Sequence, residues 1–295
     1  MTTSTTAPVT DPPALPPGLD IRLVVSDMDG SLLDEQGRVP DSFWPVLDEL
    51  ERRGIEFCPA SGRQYANLRE LFRPHGRDLV CIAENGAYVG QGDVALSADP
   101  LPGDEVPGIV GRVRDLTAAG RDVGMVLCGR RAGYVERGDG PFFAHAARHY
   151  AWLEQVDDLT AVEDEVLKIA VFDFGSVEDA TAPAFADLEP RLRVLVSGQH
   201  WLDVMNPDAD KGHALRRVQE RLGVTAAQTM AFGDYLNDAG LLDAAQWSFA
   251  MDNAHPDVRA RARDVVPSNA RHGVVRTLEA LLAATPGADR QAVRG

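Results

Sequence analysis

Ile21-Arg22-Leu23-Val24-Val25-Ser26-Asp27-Met28-Asp29-Gly30-Ser31-Leu32-Leu33-Asp34 decides how the rest of this chain is read. It begins as an apolar, β-branched run, the composition of a strand buried on both faces. It ends in two carboxylates one residue apart, followed by a glycine. Two anions at the mouth of a buried strand are costly to desolvate unless something compensates, most economically a divalent cation. In an open α/β sheet, ligands lie outside the carboxyl ends of the strands, where Asp27 and Asp29 fall. The other reading is an Asp-rich turn in which Gly30 supplies a positive φ. On this stretch alone both readings stand.

The same rhythm recurs downstream. A helix is expected over Val39–Gly54, capped by Asp41 or Ser42 and stopped by Gly54. A strand at Ile55–Pro59 delivers Ala60-Ser61-Gly62-Arg63, and a helix over Gln64–Phe72 leads to a third strand, Val80–Ala83, ending in Glu84-Asn85-Gly86-Ala87. Strands alternating with helices in this way predict a parallel sheet with right-handed crossovers. From Tyr88 to Val204 the breaks come more often. Short strands at Val123–Leu127, Ala132–Val135, Val166–Phe174 and Arg193–Val196 alternate with helices near Glu105–Ala119, Phe142–Tyr150 and Val177–Leu188. That mixture predicts a separate small α+β domain inserted into the first. From Lys211 the first rhythm resumes, and a strand at Thr229–Phe232 delivers Gly233-Asp234-Tyr235-Leu236-Asn237-Asp238. The expected division is a tail over 1–18, a core over 19–87 and 205–283, an inserted domain over 88–204, and a tail over 284–295.

Composition narrows the function classes. The 295 residues suffice for one large α/β unit or two modest domains. A net charge of −16 argues against a nucleic-acid binder, which needs a basic face for phosphates. Any site for an anion must therefore carry its own local positive charge. No uninterrupted apolar run approaches bilayer-crossing length. Cys58, Cys81 and Cys128 sit singly in apolar contexts and read as small buried hydrophobes in a reducing compartment. Met1 to Gly18 is rich in Thr and Pro, without the basic and apolar segments of a signal peptide, so a disordered tail and a cytoplasmic protein are expected.

Three strands thus end in polar clusters: Asp27/Asp29, Ser61/Arg63 and Asp234/Asn237/Asp238. A parallel sheet places such ends along one edge, and Lys211, at the start of a helix, can bring a cation there. Each piece has a structural reading of its own: Ser61 as an N-cap, Asp234 as a turn former, Lys211 as a solvated lysine. Together they favour a site.

Asp-Met-Asp-Gly-Ser-Leu-Leu, Ala-Ser-Gly-Arg, Lys-Gly-His-Ala-Leu and Gly-Asp-Tyr-Leu-Asn-Asp resemble the four ordered motifs of the haloacid dehalogenase-like hydrolases. The motif order, Asn85-Gly86 and the long insertion resemble the Cof-type phosphatases with a C2-class cap. Asp252-Asn253-Ala254 and Pro267-Ser268-Asn269 are similar to the family's C-terminal pattern. The resemblance implies a Rossmann-like parallel-sheet core with an inserted α+β cap, acting as a magnesium-dependent phosphatase on a small phosphorylated metabolite such as a sugar phosphate or a phosphorylated cofactor. It implies Asp27 as the nucleophile that forms an aspartyl-phosphate and Asp29 as the general acid and base. Mg2+ would be held by the Asp27 carboxylate, the Asp29 carbonyl and the Asp234 carboxylate, with Asp238 ordering a bound water or holding Lys211. Ser61, Gly62, Asn237 and Lys211 would hold the phosphate. No nucleic acid or membrane partner is implied. The rivals are a phosphomutase, a phosphatase of the mannosyl-3-phosphoglycerate or sucrose-phosphate type, and a regulatory binder without turnover; the last has no use for a general acid.

Weaker signals lie mostly in the inserted domain. Arg63, Arg130, Lys168 and His200 are candidate substrate contacts; the first three have structural alternatives, an arginine paired with a core acid, a solvated turn and a solvent-facing strand lysine, while His200 lies with Trp201 at the inserted domain's return to the core, where they could line the cleft. His145 and His149 have the spacing of a zinc pair on a helix, but the residue after His145 is Ala146, so the acid of the metalloprotease motif is missing and a structural role is expected.

Overall fold

A computed structural model describes residues 8–285. Residues 1–7 and 286–295 of the two expected tails lie outside the described residues. Residues 8–18 form no helix or strand. They are nonetheless tied down: the Val9 N–H donates to Asp252 Oδ2 at 3.1 Å, and Arg276 Nη1 donates to the Thr10 carbonyl at 2.6 Å. The chain forms two compact units, Met1–Ala60 with Leu215–Gly295, and Ser61–Ala214.

The first unit opens with β1 (Leu23–Asp27), all of it buried. Helix α1 (Phe43–Arg52) follows, burying Phe43, Val46, Leu47 and Leu50 on one stripe, and then β2 (Glu56–Ala60). Ser42 stands at the N-cap of α1 as expected, yet makes no side-chain cap; its hydroxyl pairs instead with His272 Nδ1 at 3.3 Å. Gly54, at φ +69°, ends the helix while Ile55 N–H bonds back to Leu50, the left-handed stop that glycine adopts without steric cost.

The second unit begins with α2 (Tyr65–Glu70) and β3 (Cys81–Ala83). β4 (Tyr88–Gln91) and β5 (Val94–Ala98) form a hairpin that extends antiparallel from β3. Then come α3 (Val106–Ala118), β6 (Val123–Gly129), β7 (Gly133–Val135), α4 (Gly140–Ala146), β8 (Leu153–Gln155), β9 (Val166–Asp173), β10 (Arg193–Gly198) and β11 (Trp201–Met205). Six of these strands make one sheet in the order β10-β11-β9-β6-β7-β8, antiparallel except for β7 and β8. The sheet packs α3 on one face, through Ile109, Val113, Met125, Ile169 and Val171. α4 covers the other, through Phe142, Ala146, Val126, Ala170 and Phe172.

Two expected helices are shorter or different. Val177–Thr181 is a wide turn, and a tighter 3₁₀ run covers Ala182–Leu188; Pro183 lacks the N–H and the room that a continuous α-helix needs there. α4 ends at Ala146, so His149 lies beyond it and the two histidines do not share a helix face.

α5 (Lys211–Leu222) leads back to the first unit, followed by β12 (Thr229–Gly233), α6 (Ala239–Asp243), β13 (Trp247–Met251), α7 (Pro256–Arg261), β14 (Asp264–Val266) and α8 (Gly273–Ala284). The first unit's strands are parallel in the order β14-β13-β12-β1-β2, the α/β architecture expected from the sequence. Its core stacks Phe232 on Phe249 at 5.4 Å and Phe43 against Phe57 at 4.9 Å, each buried ring contributing roughly 2–3 kcal/mol of transfer free energy. Among the described residues no helix is long and apolar enough to cross a membrane.

Candidate active site

Asp27 is the last residue of β1, and Asp234 directly follows β12, its parallel neighbour. The pairing is in register, Ser26 opposite Phe232, so both chains release a carboxylate at the same end of the sheet. Asp27, Asp234 and Asp238 each bring a carboxylate oxygen within 4.8 Å of the other two. At an effective dielectric constant near 20, each such pair of charges repels by about 3 kcal/mol. A divalent cation would turn that repulsion into attraction, and three hard oxygen donors suit magnesium better than zinc.

The loop after β1 is built around Asp234. Gly30 has φ +82°, and a Cβ there would overlap the Asp234 carboxylate, so the approach requires glycine. Ser31 Oγ donates to Asp234 Oδ1 at 3.3 Å. Asn253 Nδ2 donates to the Gly30 carbonyl at 2.8 Å, and Asn269 bonds both Asn253 Oδ1, at 3.1 Å, and the Leu33 carbonyl, at 3.0 Å. Asp29 lies in this loop and is exposed, within reach of solvent or a ligand. Asp238 Oδ2 accepts from the N–H groups of Asp234 and Tyr235, at 2.9 and 3.1 Å. It shapes the turn that carries Asp234. Asn237 is buried in that turn.

In the second unit, Ser61 N–H donates to the Ile82 carbonyl at 2.9 Å, and the Ser61 carbonyl accepts from Asn85 N–H at 3.0 Å. Ser61 Oγ accepts from the Arg63 N–H at 3.1 Å. Arg63 itself is half-buried and donates to Asn67 Oδ1 at 3.1 Å. Glu84, Asn85 and Gly86 are all left-handed, at φ +49°, +55° and +96°. For the two side-chain-bearing residues that backbone costs on the order of 1–3 kcal/mol each, a strain that surrounding contacts must overcome. Gly86 is required because a Cβ would overlap the Asp210 carbonyl. Lys211 opens α5 fully buried, and Asp210 Oδ1 caps that helix by accepting from Gly212 and His213 N–H at 2.7 and 3.0 Å.

Lys168 is not a solvent-facing strand lysine. It is 2% exposed, and its ammonium lies 2.7 Å from the Gly62 carbonyl, 3.1 Å from Glu84 Oε2 and 3.2 Å from Asp203 Oδ2. Two hydrogen bonds, to Gly62 and Asp203, and an ion pair with Glu84 hold the ammonium inside the protein, so the expected role as a substrate contact gives way to an internal one. Burial works against its charge, but the Asp203 and Glu84 carboxylates outweigh that and hold its pKa above the ordinary lysine range. Burial pushes Glu84 up to about 6, partly offset by Lys168. Asn85 Nδ2 donates to Asp203, closing the cluster.

Arg130 pairs with Glu165 at 2.9 Å and lies over the Tyr88 ring, lining a cavity of about 630 Å³ with Tyr65, Arg69 and Trp152. His200 Nδ1 sits 2.9 Å from the carbonyls of both Asp173 and Gly175, which ties it to its own sheet. His145 stacks on Phe172 at 4.6 Å and His149 meets the edge of Trp201, so both are aromatic packing partners.

Sequence reasoning missed several residues that hold the site's loops. Asn253 and Asn269 carried no chemical signal beyond a resemblance; Asp210 stands directly before a helix-initiating lysine, a legible N-cap pattern. Asp203 lies inside a strand that was not expected, where an acid draws no notice until its lysine is seen across the sheet.

The family pattern described as haloacid dehalogenase-like hydrolase matches residues 24–278. The chain is 28% identical over 275 residues to the 5-amino-6-(5-phospho-D-ribitylamino)uracil phosphatase of Escherichia coli, spanning 90% of this chain and 97% of that one. It is 26% identical over 243 residues to the HMP-PP phosphatase of Cronobacter sakazakii, spanning 81% and 87%. The crystal structure of a Streptococcus mutans protein superposes with a TM-score of 0.82 at 27% identity, covering 89% of this chain and 99% of that one.

Proposed function

We propose that this chain, which belongs to the haloacid dehalogenase-like hydrolases and is a phosphatase of that family, hydrolyses a small phosphorylated metabolite through an acyl phosphate on Asp27. The three-carboxylate cluster at the ends of β1 and β12 carries this reading. Asp27 attacks phosphorus while the leaving oxygen takes a proton from Asp29, whose exposure lets it reach a bound ester. Asp29, now a carboxylate, then takes the proton of the water that cleaves the aspartyl-phosphate. Asp27, Asp234 and the Asp29 carbonyl would hold a magnesium ion, with Asp238 fixing the turn beneath. When bound, that ion screens the phosphate dianion so that an anionic nucleophile can approach it.

Ser61, Gly62, Asn237 and Lys211 hold the transferring phosphate, Lys211 by charge and Ser61 by its hydroxyl. Residues 88–204 act as a cap that excludes water and selects the leaving group. The proposed substrates are sugar phosphates or phosphorylated cofactors. Two relatives support this class, since their names specify a phosphoribitylaminouracil and HMP-PP as substrates. The test is a panel of phosphorylated metabolites with magnesium and with a chelator. Phosphate release that the chelator abolishes is expected. Release that persists in chelator, or none from any ester, contradicts the reading.

A further inference from the structure

The buried Lys168 cluster does no chemistry of its own, yet it reaches the backbone of the second motif. The Gly62 carbonyl that accepts from Lys168 Nζ at 2.7 Å belongs to the same peptide as the Arg63 N–H. In a trans peptide those two groups point in opposite directions. With its oxygen held by Lys168, this peptide aims its N–H at Ser61 Oγ, 3.1 Å away. A hydroxyl that already accepts one hydrogen bond has its proton left to donate. Hydrogen bonds in such a chain polarise one another, each making the next donor stronger.

We infer that Lys168 is a positioning residue for phosphate binding: through the Gly62–Arg63 peptide it fixes and polarises the Ser61 hydroxyl as a phosphate donor. The inference rests on the assignment of Ser61 to the phosphate.

The rest of the cluster keeps Lys168 in place. Glu84 and Asp203 approach it from two elements, the turn after β3 and strand β11, at 3.1 and 3.2 Å. Gly62 fits closely over Asn85, whose amide a Cβ would meet at 3.0 Å. The loop therefore has little freedom to turn its peptide the other way. An uncompensated lysine here would be expelled or neutralised, so the two carboxylates keep it charged and directed at the carbonyl.

A double-mutant cycle on the full chain separates this relay from general support. The probe is inorganic phosphate, its dissociation constant measured by calorimetry in magnesium. The variants are Lys168→Met, Ser61→Ala and both together. Because Lys168→Met leaves two buried carboxylates, a second form pairs it with Glu84→Gln and so removes opposite charges in equal number. Loss of Lys168 is expected to weaken phosphate about tenfold when Ser61 is present and less than twofold when Ser61 is alanine, with the magnesium half-saturation unchanged. Equal weakening in both backgrounds, or unchanged phosphate affinity in a folded variant, overturns the inference. Failure of both forms to fold assigns the cluster to stability alone and overturns it equally. If the parent chain releases no phosphate from any ester, the phosphatase reading itself fails, a result the cycle does not imitate.

Discussion

One oxygen of Asp238 accepts hydrogen bonds from two successive backbone N–H groups, those of Asp234 and Tyr235. The turn that presents the Asp234 carboxylate is therefore set by another carboxylate four residues on. Asp238→Ala removes the acceptor and leaves two N–H groups to find water. It is expected to lower stability by about 1–3 kcal/mol, read from the denaturant midpoint. The magnesium concentration for half activity should rise roughly 10–100-fold, as when an outer partner of a metal ligand is lost. An unchanged magnesium requirement would separate Asp238 from the metal site.

Gly30 makes a sharper case, because its two constraints act together. Its φ of +82° disfavours any side chain, and a Cβ there overlaps the Asp234 carboxylate. Gly30→Ala should cost at least about 1–2 kcal/mol from the backbone alone. It should also weaken magnesium activation by displacing Asp234. Wild-type activation in this variant would show that Asp234 does not hold the metal.

Asp29 is exposed, and its replacement by the isosteric asparagine should leave the protein folded. Turnover of a phosphate ester should fall by roughly 10²–10⁴, the range for a lost general acid or base. A variant with full turnover, measured at saturating magnesium, would remove Asp29 from the proton transfers.

Burial sets a pH signature on Glu84, whose pKa lies near 6 against an ordinary 4.5. The folded state therefore holds the proton more tightly than the unfolded one. Its contribution is fully present below about pH 4.5 and is lost as pH rises through 6, a change of about 2 kcal/mol. Glu84→Gln cannot titrate. Its stability relative to the parent should improve by about that amount between pH 4 and pH 7 in denaturant titrations. A pH-independent difference would show that Glu84 titrates normally.

Much of the first unit was legible because its central strands are buried on both faces and the helices α1 and α5 stop at Gly54 and Gly223. Leu23–Val25 and Met230–Phe232 are apolar runs with an acid two residues beyond each, and period and punctuation suffice to read them. The β4–β5 hairpin was missed, although its two-residue turn, Gly92-Asp93, has the expected chemistry with Gly92 at φ +59°. Its strands are four and five residues long, and Val94 stands in solvent, so no alternation declares them.

The clustered acids Asp27 and Asp234 drew notice in the sequence because desolvation makes carboxylates at strand ends improbable without a purpose. Lys168 could not be read this way, since a lysine in a strand has no pattern that distinguishes solvent from a buried ion cluster. Its partners, Glu84 and Asp203, are 84 and 35 positions away in the chain, and only the folded sheet brings them together.

Asp27 as the nucleophile is the centre of the proposed chemistry. Asp27→Asn changes one oxygen to an amide group at a fully formed strand end, so the fold should survive while the attacking carboxylate is lost. The decisive measurement is phosphate release from p-nitrophenyl phosphate by the folded variant and the parent, at equal magnesium. A fall of at least roughly a thousandfold is predicted; turnover within a few-fold of the parent would contradict the account.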